Sequence, residues 1–112
     1  MKKLKIIFFG SPYYSVPLLN EIINSGHHVP LVISQGTKKT RRGQIVQTAI
    51  HKHCNKHNLK CITPNELDDT VFDEINNLNA DMGIIYAYGK LIPQKIIEST
   101  KQGIMNLHCS LL

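Results

Sequence analysis

Leu4-Lys5-Ile6-Ile7-Phe8-Phe9-Gly10-Ser11-Pro12 is the stretch that decides the fold. A short β-branched and aromatic run closes on Gly-Ser-Pro. Its apolar residues are consecutive rather than alternating, as in a parallel strand buried on both faces. A helix is expected next, over residues 15–25. Val16, Leu19, Ile22 and Ile23 recur there at helical spacing. Ser15 can cap it, Pro17 is tolerated in its first turn, and Gly26 ends it. Val29-Pro30-Leu31-Val32-Ile33 then reads as a second strand, with Pro30 at its start.

The same alternation continues along the chain. Residues 35–44 are polar, basic and unpatterned, which predicts a loop. Helix is expected over residues 45–58. Leu59-Lys60-Cys61-Ile62 is a third strand, ended by Thr63-Pro64. Residues 69–78 are helical, with Val71, Ile75 and Leu78 on one face. Met82-Gly83-Ile84-Ile85-Tyr86-Ala87 is a fourth strand. Pro93 opens a helix running to about residue 100. Gly103-Ile104-Met105-Asn106-Leu107-His108 is a fifth strand. Strands alternating with helices predict an α/β fold, a Rossmann-like open parallel sheet with helices on both faces. The expected strand order is 3-2-1-4-5. The chain stops just after a strand, at Cys109-Ser110-Leu111-Leu112. Domains usually finish on a docked helix or a polar tail. A short natural terminus would end the same way, but residues 1–112 are expected to be the N-terminal portion of a longer protein, its sheet incomplete at the C-terminus.

Composition excludes several classes. At 112 residues the chain is one small domain, able to bury roughly two-thirds of its unfolded surface. With 42% hydrophobic and 19% charged residues it is neither disordered nor a membrane span. Charge is unevenly placed. Residues 1–56 hold nine cations and one anion, Glu21, and residues 57–112 hold four cations and seven anions. A basic first half suits an anionic partner, nucleic acid among the candidates. Three cysteines without framework spacing, Cys54, Cys61 and Cys109, suit a reducing cytosol. The basic start is followed by only Ile6-Ile7-Phe8-Phe9, whereas a signal core needs about 7–15 apolar residues. The expectation is a soluble, cytoplasmic, monomeric protein with no membrane partner.

Open parallel sheets bind ligands beyond the carboxyl ends of their strands, where the strand order reverses. That point lies between strands one and four. Its loops are Gly10-Ser11-Pro12-Tyr13-Tyr14 and Ala87-Tyr88-Gly89-Lys90, and the fifth strand ends alongside. Asn106 and His108 are two apart, so both side chains share one strand face, about 6.5–7 Å apart. An amide donor can bond a developing oxyanion, and an imidazole can move a proton near neutral pH. The same pair could equally be a structural His and an Asn capping a turn. Gly10 lacks the other glycines of a dinucleotide fingerprint and is expected to permit a tight strand-to-helix turn.

Lys38-Lys39-Thr40-Arg41-Arg42 holds four cations, including both arginines of the chain. Arginine forks match phosphate bidentately, which suits a nucleic-acid backbone, although a solvated loop would carry the same charge. His51, His53, Cys54, His57 and Cys61 invite a metal reading. Lys52, Lys56 and Lys60 oppose it, and an amphipathic surface helix is the better account. No metal is expected.

Taken together, four segments resemble the methionyl-tRNA formyltransferases, within the wider folate-dependent formyltransferases. They are Ile6-Ile7-Phe8-Phe9-Gly10-Ser11-Pro12 with Val16-Pro17-Leu18-Leu19, then Gln35 leading to Arg41-Arg42-Gly43. Next come Ala87-Tyr88-Gly89-Lys90-Leu91-Ile92-Pro93, and finally Asn106-Leu107-His108-Cys109-Ser110-Leu111-Leu112. The resemblance implies formyl transfer from 10-formyltetrahydrofolate to the amino group of methionyl-initiator tRNA. It implies catalytic roles for Asn106 and His108. It implies a folate site bordered by Tyr88, Gly89, Ser110, Leu111 and Leu112. It implies tRNA contact by Lys38, Lys39, Arg41 and Arg42. Gly36-Thr37 departs from the family, which tends to have Pro and an acid there. A catalytic Asp and a C-terminal tRNA-binding barrel, usual in the family, would lie beyond Leu112, so the 112 residues alone are expected to be inactive. Two alternatives stand beside this reading: a formyltransferase acting on a sugar or purine ribotide, and a non-catalytic nucleic-acid or nucleotide-binding module.

Overall fold

Ile6, Ile7, Phe8 and Phe9 are each at most 2% exposed. A strand hides consecutive side chains only when both of its faces are covered. The computed structural model, which describes residues 2–108, supplies both covers. In chain order its elements are β1 (Lys5–Gly10), a 3-10 turn (Tyr13–Ser15), α1 (Val16–Asn24), β2 (His28–Ile33), β3 (Lys38–Lys39) and β4 (Ile45–Val46). There follow α2 (Ala49–Lys56), β5 (Cys61–Ile62), α3 (Asp69–Asn77), β6 (Met82–Tyr86), α4 (Gln94–Ile97) and β7 (Ile104–Leu107). The main sheet is parallel, in the order β5-β2-β1-β6-β7. Counted along the chain, its strands run 3-2-1-4-5, the order the sequence predicts.

Alternation along β1 sorts the core into two layers. Ile6 and Phe8 pack with Leu19 and Ile22 of α1 and Ile50 and Cys54 of α2. Ile7 and Phe9 face the other way, onto Val71 and Ile75 of α3 and Ile96 of α4. Two helices therefore cover each face. Side chains open two of these helices. Thr48 Oγ1 accepts from the His51 amide at 3.1 Å, and Asp68 Oδ1 from the Val71 amide at 3.1 Å. Each satisfies an amide that has no partner within its helix. Pro30 sits inside β2, where the register against β1 slips between Lys5 and Ile7. A bulge tolerates the donor that proline lacks. No helix among the described residues is long and apolar enough to cross a membrane.

Several expectations need correction. Residues 35–44 are not simply loop. Lys38 and Lys39 pair antiparallel with Val46 and Ile45. The turn closes through Thr40, whose amide donates to Gln44 O at 2.8 Å and whose hydroxyl accepts from the Gln44 amide at 3.1 Å. Ile45 and Val46 are consequently strand, and helix begins only at Ala49. The third strand shortens to Cys61–Ile62, because β2 offers it pairing only at Val32 and Ile33. The helix after Pro93 lasts four residues rather than reaching residue 100. Ser15 stands at the start of α1 but makes no side-chain cap. Its hydroxyl donates to Tyr86 O at 2.6 Å, tying the turn to β6. Gly10 does stand at a tight strand-to-helix turn, between β1 and the 3-10 turn at Tyr13, but the turn does not draw on its backbone freedom. Its φ is not positive, and it is glycine for want of space. A Cβ there would stand 2.7 Å from the Phe8 ring and 3.0 Å from Tyr86 O.

Candidate active site

The carboxyl ends of β1, β2, β6 and β7 meet at the expected switch point, and hydrogen bonds across the loops fix their geometry. The Ser11 amide donates to Ala87 O at 3.1 Å. Tyr88 O accepts twice, from Ser11 Oγ at 3.0 Å and from Gln35 Nε2 at 2.8 Å. The Gln35 amide donates to Ser11 Oγ at 3.2 Å. Lys90 Nζ reaches Asn65 O at 2.7 Å. Residues 87–90 are thus strapped to the ends of β1, β2 and β5. Ala87 takes φ +58 and Gly89 φ +95, which turn the chain sharply out of the sheet after β6. For alanine a left-handed φ costs about 1–2 kcal/mol, offset here by the straps.

Two clefts flank this loop. The first, about 680 Å³, is lined by residues 85–92 together with Tyr14, Ile97, Ile104, Asn106, Leu107 and His108. Asn106 stands in register with Ile85. Asn106 follows Ile104 by two residues, so both project to the α3 and α4 side, where Ile104 packs on the core. His108, two further on, also lines the cleft. Both residues are exposed. The structure thus brings together the two side chains that the sequence paired. The second cleft, about 860 Å³, lies between the 11–14 turn, the 35–38 segment, the start of α2 and residues 87–90. Tyr14 and residues 87–90 line both.

The remaining expected site residues divide. Gly89 lines both clefts, and a Cβ there would run into Gln35 Nε2. Tyr88 lines both clefts as well. Its side chain is 1% exposed and packs edge-on against Phe9, with ring centroids 5.7 Å apart. Burial pushes the phenol up from its ordinary pKa, and among the described residues its hydroxyl has no partner. Ser110, Leu111 and Leu112 lie outside the described residues. Lys38, Lys39, Arg41 and Arg42 are all exposed on the β3–β4 hairpin, and among the described residues none is ion-paired.

The histidine-rich helix reads as structure. His53 Nε2 and Asn20 Oδ1 are 2.8 Å apart, and the His53 and His57 rings touch at a tilt of 43° with centroids 4.3 Å apart. Burial, then His57 and Lys56, lower the His53 pKa. Among the described residues no three His, Cys, Asp or Glu side chains gather into a metal-sized group. Sequence reasoning missed Gln35, Ser11 and Lys90 as the groups that hold the site. Their partners are backbone carbonyls, which leave no mark in side-chain patterns.

Comparison with known proteins gives this arrangement its family. The methionyl-tRNA formyltransferase of Alkaliphilus oremlandii is 40% identical over 111 residues, covering 97% of this chain and 36% of that protein. The enzyme of the same name from Buchnera aphidicola subsp. Schizaphis graminum is 42% identical over 114 residues, covering 100% of the chain and 36% of the relative. The chain thus spans about a third of the length of these curated relatives. Among solved structures, phosphoribosylglycinamide formyltransferase from Bacillus Halodurans superposes with a TM-score of 0.70 at 14% identity, over 96% of this chain and 57% of that one. That likeness is one of fold. Residues 2–112 match the formyl transferase family from end to end, and this chain belongs to it.

Proposed function

We propose that this chain supplies the N-terminal part of the catalytic domain of a methionyl-tRNA formyltransferase. The reaction would move a formyl group from 10-formyltetrahydrofolate to the amino group of methionyl-initiator tRNA. The observation that carries the reading is the placement of Asn106 and His108 together on one cleft, beside the strapped 87–90 loop. The names of the curated relatives support the same reaction.

The first cleft suits a folate. Its volume falls within the usual range for small-molecule sites. Ile85, Ile92, Ile97 and Ile104 offer apolar walls, and Asn106 and His108 offer polar groups. The amine attacks the formyl carbon, and its carbonyl oxygen becomes an oxyanion. The Asn106 amide donates to that oxygen. His108, protonated, donates a second bond and then passes its proton to the departing folate nitrogen, regaining one from the attacking amine. Both donors act most strongly on charge present only in the transition state. An acid from further along the sequence, as the family resemblance implies, would keep His108 protonated. The exposed hairpin cations would hold the phosphate backbone of the tRNA.

A chimera tests the reading: this chain replaces the matched portion of the Alkaliphilus oremlandii relative. Formylation of methionyl-tRNA from 10-formyltetrahydrofolate is expected. A folded chimera that formylates a ribotide amine in its place overturns the proposal.

A further inference from the structure

The second cleft presents two aromatic rings, Tyr13 and Tyr14, to which the formyl transfer described above assigns no role. Tyr13 is 77% exposed and Tyr14 44%. Paired rings facing water in a cleft mark a contact surface. They are also braced. Tyr13 and Tyr14 meet edge to face at 5.5 Å and 89°, and Tyr14 meets Tyr86 of β6 at 5.8 Å and 77°. Such rings lose little freedom when they take a partner.

Charge says what that partner is. The same cleft is lined by Thr37 and Lys38, where the basic hairpin begins. From residue 22 to residue 65 the chain has seven Lys and Arg and no acid. Cations that track a phosphate backbone, set beside rings that accept bases, are how proteins hold unpaired nucleic acid. A duplex would not fit this use, because its base faces are already covered. Single-stranded ends and loops leave them free.

We propose that Tyr13, braced by Tyr14, is the stacking site for an unpaired nucleobase of the RNA whose backbone the 38–42 hairpin holds. The inference rests on the tRNA reading above and adds the part of the RNA that enters the second cleft. Stacking tolerates any base, so this contact positions the strand end rather than reading its sequence.

The test uses the 112-residue chain and a short single-stranded RNA ending in fluorescent 2-aminopurine. Tyr13 lines the second cleft and not the first, so its replacement spares the formyl site. Binding should quench the fluorescence. Tyr13→Ala should weaken binding roughly 5- to 150-fold, the loss expected for one stacked base. Tyr13→Phe should stay within about twofold, because stacking needs the ring and not the hydroxyl. Tyr13→Ala binding like the parent, while Arg41→Ala/Arg42→Ala loses binding, overturns the stacking site and leaves RNA recognition standing. Both variants binding like the parent overturns RNA recognition itself. An equal loss on blunt duplex RNA overturns stacking as the cause.

Discussion

Gly89→Ala should destabilise the fold by about 2–3 kcal/mol, from two sources that can be separated. The first is backbone. Gly89 has φ +95, where a side chain costs about 1–2 kcal/mol. The second is steric. The new Cβ would collide with Gln35 Nε2 and lie 3.3 Å from Gln35 Cδ. Gln35 is a flexible side chain and would swing away. In doing so it would give up its 2.8 Å bond to Tyr88 O, a net cost of about 0.5–1.5 kcal/mol. Tyr88 O keeps the Ser11 hydroxyl at 3.0 Å, so no orphaned carbonyl adds to the cost. At this chain length the total should lower Tm by about 8 °C or more. Gln35→Ala alone should cost only the bond, about 1 kcal/mol. In the Gln35→Ala background, Gly89→Ala should cost only the backbone strain. The double variant should then fall short of additivity by about 1 kcal/mol. Urea unfolding of all four proteins measures this. Gly89→Ala within about 0.5 kcal/mol of the parent, or strict additivity, would refute the collision and the strap together.

Three further outcomes are expected. In the chimera, Asn106→Ala should lower turnover roughly a hundred- to a thousand-fold, on the order of 3–4 kcal/mol, with folate binding little changed; a rate within about threefold of the parent removes Asn106 from the mechanism. Arg41→Ala/Arg42→Ala should flatten the log–log salt dependence of RNA binding by about one unit for each phosphate the two arginines neutralise, and an unchanged slope counts against phosphate binding by this pair. Asp81 Oδ2 accepts from the Lys5 amide at 2.7 Å, with Lys101 at 3.7 Å, and this holds its pKa below the ordinary 3.8. The resulting stability is present above 3.8 and is lost as pH falls below it, so the gap in Tm between the parent and Asp81→Asn should narrow from about pH 6 to about pH 3. A gap constant across that range excludes the linkage.

The sequence by itself determined the main sheet. Ile6 to Phe9, Leu31 to Ile33 and Ile84-Ile85 are too apolar to sit anywhere but between layers. Helix-spaced residues such as Leu19 and Ile22, or Val71 and Ile75, supply the layers. These are local patterns, and right-handed crossovers convert them into one strand order. Asn106 and His108 are legible as a pair because residues two apart along a strand share a face, although β7 ends at Leu107 and His108 follows it directly. Tertiary structure decided everything that depends on residues distant in the chain. Lys38-Lys39 is too short and too polar, and Ile45-Val46 too short, to announce a hairpin, and they are strand only because each supplies the other's partner. The ring of Tyr88 is buried because Phe9 and the α3 and α4 layer lie against it, which no local pattern shows. Gly10 is glycine because the Phe8 ring and the Tyr86 carbonyl fill the space a Cβ would need. Gln35 is a site residue because Tyr88 O, 53 positions on, comes within hydrogen-bond reach. Periodicity is a property of a segment. Packing, exclusion and hydrogen bonding between segments exist only once the chain has closed on itself.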